Sequence, residues 1–292
     1  MRAGHPDTVP AGHGPCGTIV DRVVPLLDID PDLGELLGPA RRRQAHTQIL
    51  VRLGTLRVGA WDPRTVGVAD PHDLGLLVVD GVLAREVLAE RIISTELLGA
   101  GDVIRARHHG PGASLLRMGV QWSVLADTRI AILDARVTRL LASYPEMLSL
   151  LAERMVGRSE RLAIDQAISK LTGVDRRLVT LFWHLAERWG RITRDGVSIP
   201  LTLSHRMLAQ LVGARRPSVS TALAELSRDG VLIRCRDGSW LLTGTPAGPT
   251  ADPERLVRPR RRFLPEPVRH GQRRAFATHV RAVGDPTVDP TG

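Results

Sequence analysis

A chain of 292 residues, 43% hydrophobic and 24% charged, is long enough for two folded domains, each able to bury its own core. Lys and Arg outnumber Asp and Glu by 40 to 31, a formal charge of +9 that favours a polyanionic partner. Nearly all of the excess is arginine, Lys170 being the single lysine, so an arginine-rich proteome would raise the charge in the same way. No apolar run approaches the ~20 residues that cross a bilayer, and the first 17 residues lack the apolar stretch of a signal peptide, which points to the cytoplasm. Cys16 and Cys235 stand far apart and outside any C-x-x-C spacing, which excludes a four-thiolate zinc or iron–sulfur site within one chain.

Residues 1–17, rich in Gly, Pro and His, read as a disordered arm. From 18 to 134 the chain is a series of short apolar runs broken by Gly, Pro and Asp. Ile49 to Leu53 is one run. Leu74 to Leu83 is the strongest, with Asp80-Gly81 as a turn signal inside it. Glu96-Leu97-Leu98 precedes Gly99-Ala100-Gly101-Asp102, and Trp122 to Leu125 and Arg129 to Leu133 complete the set. Short strands at this spacing predict an antiparallel β-sandwich or roll.

The texture turns helical over 135–172. Residues 135–142 suit a helix, and Ser143-Tyr144-Pro145 reads as a cap followed by proline in the first turn of a longer one, ending near Leu171. Leu148, Leu151, Met155 and Leu162 recur at helical spacing and predict a two-helix seam. A strict heptad would also place Arg158 and Asp165 on the seam, so the coiled coil is expected to be short or irregular; packing on the β-domain is the other reading of the stripe.

Residues 174–189 form another amphipathic helix, and a hairpin is expected around Arg194-Asp195-Gly196. Two short helices follow, 204–212 and 217–228, then a hairpin around Arg236-Asp237-Gly238. Ser204 is a good N-cap, Gly213 permits a sharp turn between the helices, and Pro217 suits a helix start. Val219, Leu223 and Leu226 share one face of the second helix, which leaves Arg215, Arg216, Pro217, Ser218, Ser220 and Thr221 near its exposed N-terminal part, with Ser204 and His205 at the start of the first helix. Such side chains can reach base edges and phosphates in a major groove, and Arg236 at the hairpin tip is placed for a phosphate. Residues 246–292 are mostly Pro, Arg, Gly and Thr and read as a disordered basic tail.

Leu211-Val212-Gly213-Ala214-Arg215-Arg216-Pro217-Ser218-Val219-Ser220 resembles the L-V-G-x-x-R-x-x-V-x signature of the cyclic-AMP receptor protein / fumarate-nitrate reductase regulator (Crp/Fnr) superfamily. The resemblance covers roughly residues 20–244, through Leu97-Leu98-Gly99-Ala100-Gly101-Asp102-Val103-Ile104 as its β-roll turn and the long helix as its dimer helix. It implies an α+β architecture: an antiparallel, cyclic-nucleotide-binding-like β-roll over 18–134, a linker and dimerisation helix over 135–172, and a winged helix-turn-helix over 173–245. It implies a homodimer on a near-palindromic operator in double-stranded DNA, with RNA polymerase as a further candidate partner. The family's recognition arginine falls on Arg216. Its following glutamate falls on Pro217, so the archetypal operator is not expected.

The same resemblance argues against cyclic AMP bound in the usual way. The family's phosphate cassette, Gly-Glu followed by Arg-Ser/Thr-Ala, is missing after Asp102, where Arg105, Arg107 and Arg117 stand out of frame, and its adenine-contacting hydroxyl pair falls on Leu162-Ala163. No cofactor or metal is expected, His108-His109 reading as exposed loop residues, and the effector is unknown. An enzyme is not expected, there being no G-x-S-x-G, Walker loop or H-E-x-x-H. The alternatives are a Crp-type regulator that answers to a cyclic nucleotide or another small ligand, and a winged-helix module that binds protein rather than specific DNA.

Overall fold

A computed structural model of the chain describes residues 19–67, 70–105 and 118–245. The expected N-terminal arm, His108-His109, Arg107, Arg117 and the basic tail lie outside them.

The chain enters as β1 (Ile19–Pro25), a single helical turn α1 (Leu26–Ile29) and α2 (Pro39–Gln48). There follow β2 (Leu50–Leu56), β3 (Gly59–Trp61), β4 (Gly75–Ala89), β5 (Ile92–Gly99), β6 (Val103–Ile104) and β7 (Met118–Leu133). These strands form one antiparallel sheet in the order β1-β2-β7-β4-β5, with β3 on β7 and β6 on β4. The sheet curls into a roll with an apolar interior that includes Leu56, Leu76, Leu83, Leu98, Val124 and Ile130.

The roll rests on two strands far longer than the apolar runs suggest. β4 has 15 residues and β7 has 16, and they pair from Gly75↔Leu133 to Ala89↔Met118. Asp80-Gly81 is therefore not a turn. It lies inside β4, where the register shifts against β7, and it makes a bulge that bends the pair. Gly81 has φ 89°, and a Cβ there would stand 2.2 Å from Thr128 Oγ1, so β7 approaches too closely for any side chain. Asp80 holds the partner strand across the bulge, accepting from Arg129 N at 3.1 Å and Arg129 Nε at 2.7 Å. The two runs around Trp122 and Ile130 are likewise one strand.

The helical part follows as α3 (Ala135–Leu141), α4 (Pro145–Ser169) and α5 (Val174–Trp189). Asp134 caps α3 by accepting from Val137 N at 3.0 Å. The 25-residue α4 starts at Pro145, as the missing N–H of proline allows. A second sheet, in the order β10-β11-β9-β8, is built from β8 (Arg191–Ile192), β9 (Val197–Ile199), β10 (Leu232–Arg234) and β11 (Trp240–Leu242), and it encloses α6 (His205–Leu211) and α7 (Arg216–Arg228) in sequence. This is a winged helix-turn-helix. Its core is shared with the roll: Val82, Ala84 and Leu97 join Leu178, Phe182, Leu208, Val219 and Trp240 in one buried cluster. Thr95 Oγ1 donates to Gln210 Oε1 at 3.2 Å across the same junction.

The stripe predicted on α4 divides between two faces. Leu151 is only 1% exposed and packs with Leu77, Val103 and Leu141 inside its own roll, and Leu148 lies partly against the same cluster. Leu151 is thus removed from the seam. The residues seven and fourteen further on, Arg158 and Asp165, lie on this inward face, which is why they spoiled the heptad. Outward, Met155 (41%), Val156 (58%) and Leu162 (40%) are exposed. Met155 and Leu162, with Leu148, Ala152, Ser159 and Gln166, mark a stripe whose steps alternate between four and three residues, and Val156 follows Met155 beside it.

Candidate nucleic-acid interface

α6 begins where Ser204 caps it, its Oγ accepting from Met207 N at 3.2 Å. Leu208, Ala209 and Leu211 turn inward. Gly213, at φ 60°, makes the reversal, and Ala214 N closes it on Ala209 O at 2.9 Å. Arg215 occupies the extended position before α7, and Pro217 lies in its first turn. Val219, Ala222, Leu223 and Leu226 then bury one face of α7. The opposite face is fixed by that burial. Arg215, Arg216, Pro217, Ser218 and Thr221 are exposed together at its N-terminal half.

The chemistry of that face is that of a donor surface. Among the described residues none pairs with Arg215 or Arg216, so both guanidinium groups meet solvent at the start of α7. Arg206, exposed on α6 and likewise without a partner among the described residues, was not singled out in the sequence. The hydroxyls differ among themselves. Ser218 is exposed, whereas the Thr221 hydroxyl donates back to Pro217 O at 3.2 Å, which leaves its lone pairs outward. Ser220 is half-buried and lies 2.9 Å from His205 Nδ1, so these two meet each other.

The wing is stiff. Its turn is held by Asp237, which accepts from Ser239 N at 3.0 Å and from Ser239 Oγ at 2.6 Å. The Ser239 hydroxyl and then its amide hold the Asp237 carboxyl below the usual range. Arg236 projects exposed from the tip. Trp240 fixes the base of the wing, its ring 5.0 Å from that of Phe182 on α5.

Behind this surface a set of ion pairs ties α4 and α5 to the roll. Asp102, its side chain 2% exposed, receives Arg161 of α4 at 2.5 Å and Arg188 of α5 at 2.7 Å, and accepts from Gly99 N at 2.9 Å. Glu96 receives Arg158 at 2.6 Å and Arg85 at 3.4 Å, and Arg154 pairs with Asp30. Hydrogen bonding to Glu96 and to Asp30 raises the Arg158 and Arg154 guanidinium groups above their ordinary values, against burial, so both stay charged. Burial raises the Asp165 carboxyl, opposed by His184 beside it. The pairs that tie α4 to the roll were not legible from sequence, since Arg161 meets Asp102 across 59 positions, Arg158 meets Glu96 across 62 and Arg154 meets Asp30 across 124.

Between the roll and α4 lies a cavity of about 380 Å³, lined among others by Arg85, Arg105, Trp122, Met155 and Arg158. Its guanidinium groups are already engaged, Arg85 and Arg158 by Glu96, and Arg105 by Asp73 O at 2.7 Å. Among the described residues no cluster of His, Cys, Asp and Glu could hold a metal. No helix of the described residues is long and apolar enough to cross a membrane.

Residues 176–243 match the family described as the Crp-like helix-turn-helix domain. No curated protein matches the chain. Among solved structures, FixK2 from Bradyrhizobium japonicum is similar at a TM-score of 0.51 and 16% identity, over 70% of this chain and 95% of that one. A CooA mutant from Carboxydothermus hydrogenoformans is similar at a TM-score of 0.50 and 18% identity, over 70% of this chain and 86% of that one. At such identities the likeness establishes the fold: a β-roll, a long helix and a winged helix-turn-helix. Residues 176–243 thus carry a Crp-like helix-turn-helix domain, on a chain whose fold is that of these two structures.

Proposed function

We propose that the protein is a cytoplasmic homodimer that binds a near-palindromic DNA site by placing α7 in the major groove. The observation that carries this reading is the exposed face of α7. Arg215 and Arg216 stand there with no partner among the described residues, beside Ser218 and Thr221 and ahead of a rigid wing bearing Arg236. Arg216, in the first turn of α7, would read guanine through O6 and N7. Arg216→Ala is expected to cost about 1–3 kcal/mol on the selected operator and to relax base preference at one position per half-site. A loss of equal size on every sequence would make Arg216 a phosphate contact.

The working division is a roll over 18–134, a linker and dimer helix over 135–172 and the DNA-binding domain over 173–245. The dimer reading rests on the outward stripe of α4, where Met155 and Leu162 are exposed with Leu148 beside them. Two copies of α4 packed along it would set the spacing of the two α7 helices, and RNA polymerase would be met by the DNA-bound dimer. We further propose that the roll does not hold cyclic AMP in the usual way, because Glu96 and backbone carbonyls already occupy the arginines around its cavity. A different small ligand is the alternative this cavity favours.

Residues 246–292, with Arg258, Arg260, Arg261 and Arg262 close together, are expected to add affinity without selectivity. Each arginine that neutralises a phosphate steepens the dependence of log K on log salt by ~0.9. Deleting the tail is expected to flatten that slope and leave the preferred sequence intact; an unchanged slope means that the tail touches no DNA. A protein-docking winged helix would present apolar side chains where α7 presents arginine and hydroxyl groups, and would show a gentler response to salt.

A further inference from the structure

The hydrogen bond between His205 Nδ1 and Ser220 Oγ, 2.9 Å long, joins the first residue of α6 to the second turn of α7. Among the described residues it is the side-chain hydrogen bond that spans these two helices. The rest of their interface is apolar: Leu208 and Leu211 on one side, Val219 and Leu223 on the other. Apolar packing is non-directional and tolerates small rotations of one helix on another, whereas a hydrogen bond weakens steeply as its angle departs from linear. Ser220 follows the buried Val219 and stands one turn after Arg216 on the same flank of α7. Fixing Ser220 therefore fixes the rotation of α7 about its axis, and with it the direction in which Arg216 leaves the helix.

We infer that His205 is a positioning residue: through Nδ1 its ring holds Ser220 and sets the orientation of α7, and neither side chain is itself a DNA contact. This rests on the proposal that α7 reads DNA. It departs from the sequence reading, which placed both residues on the contact surface. Burial separates them from the true surface residues, since both are half-buried while Arg215, Arg216, Ser218 and Thr221 are exposed.

The two ring nitrogens can be told apart by substitution. An asparagine amide places a polar atom near the position of Nδ1, and a glutamine amide places one near Nε2. The full 292-residue chain with His205→Asn, His205→Gln, Ser220→Ala, and the last two combined is titrated against a selected operator and a scrambled duplex. His205→Asn is expected to bind the operator like the wild type. His205→Gln and Ser220→Ala are each expected to lose about 3–10-fold on the operator, as one neutral hydrogen bond allows, and nothing on the scrambled duplex. The combined variant should bind no worse than Ser220→Ala alone, because one bond is being removed twice. Binding kept by His205→Gln and lost by His205→Asn, or losses that add, would overturn the inference and put Nε2 on the DNA. A wild-type protein that prefers no sequence would strike down the DNA-reading proposal beneath it.

Discussion

Replacing Met155 and Leu162 together by glutamate is expected to leave the protein folded and monomeric, sedimenting at the single-chain mass of 31.9 kDa. Both side chains are exposed in one protomer, at 41% and 40%, so a charge there costs the isolated chain little. In a two-helix seam each glutamate would face its like across the symmetry axis, desolvated and without a counter-charge, which costs several kcal/mol per pair. Specific DNA affinity should fall with the dimer, since two half-sites are then bound independently. The contrast is Leu151→Ala. That side chain lies inside its own roll, so its loss is expected to cost about 2–5 kcal/mol of folding stability while the folded fraction keeps the dimer mass. Dimers that survive the double glutamate substitution would move the interface off this face of α4.

Asp102→Asn is expected to lower folding stability by about 3 kcal/mol, read by denaturant titration at neutral pH. The carboxylate is buried and faces two guanidinium groups, Arg161 on α4 and Arg188 on α5. An amide of the same size removes the negative charge and leaves two cations close together with no anion between them. Arg188 also donates to Ala100 O at 2.7 Å, which the substitution leaves in place, so the loss should report the charge rather than the whole contact. A protein domain is held by only ~5–15 kcal/mol, so the effect is large enough to measure with confidence. An unchanged midpoint would mean that solvent screens this junction.

What could be read from sequence follows from where the information lies along the chain. The helix-turn-helix was legible because its signals are local: the Ser204 cap, Gly213 between the helices, Pro217 in the first turn, and buried residues at spacings of four and three within 13 residues of α7. The roll was legible as antiparallel strands but not in its lengths. Asp80-Gly81 carries the composition of a turn, and only the approach of Thr128 from 47 positions away shows that it is a bulge. On α4 the leucine pattern merged two faces, because the inward side carries Arg154, Arg158 and Arg161 in place of apolar residues. Those arginines are intelligible only once Asp30, Glu96 and Asp102 are seen opposite them. Long-range ion pairs leave no periodicity to read.

Selection of bound sequences from random duplex DNA tests the central proposal most directly, run in parallel on the wild type and Arg216→Ala. The proposal predicts an inverted repeat with a fixed half-site spacing, and the loss of one preferred base pair in each half when Arg216 is shortened. Enrichment of no sequence, or of an unpaired half-site whose base preferences survive Arg216→Ala, would contradict it.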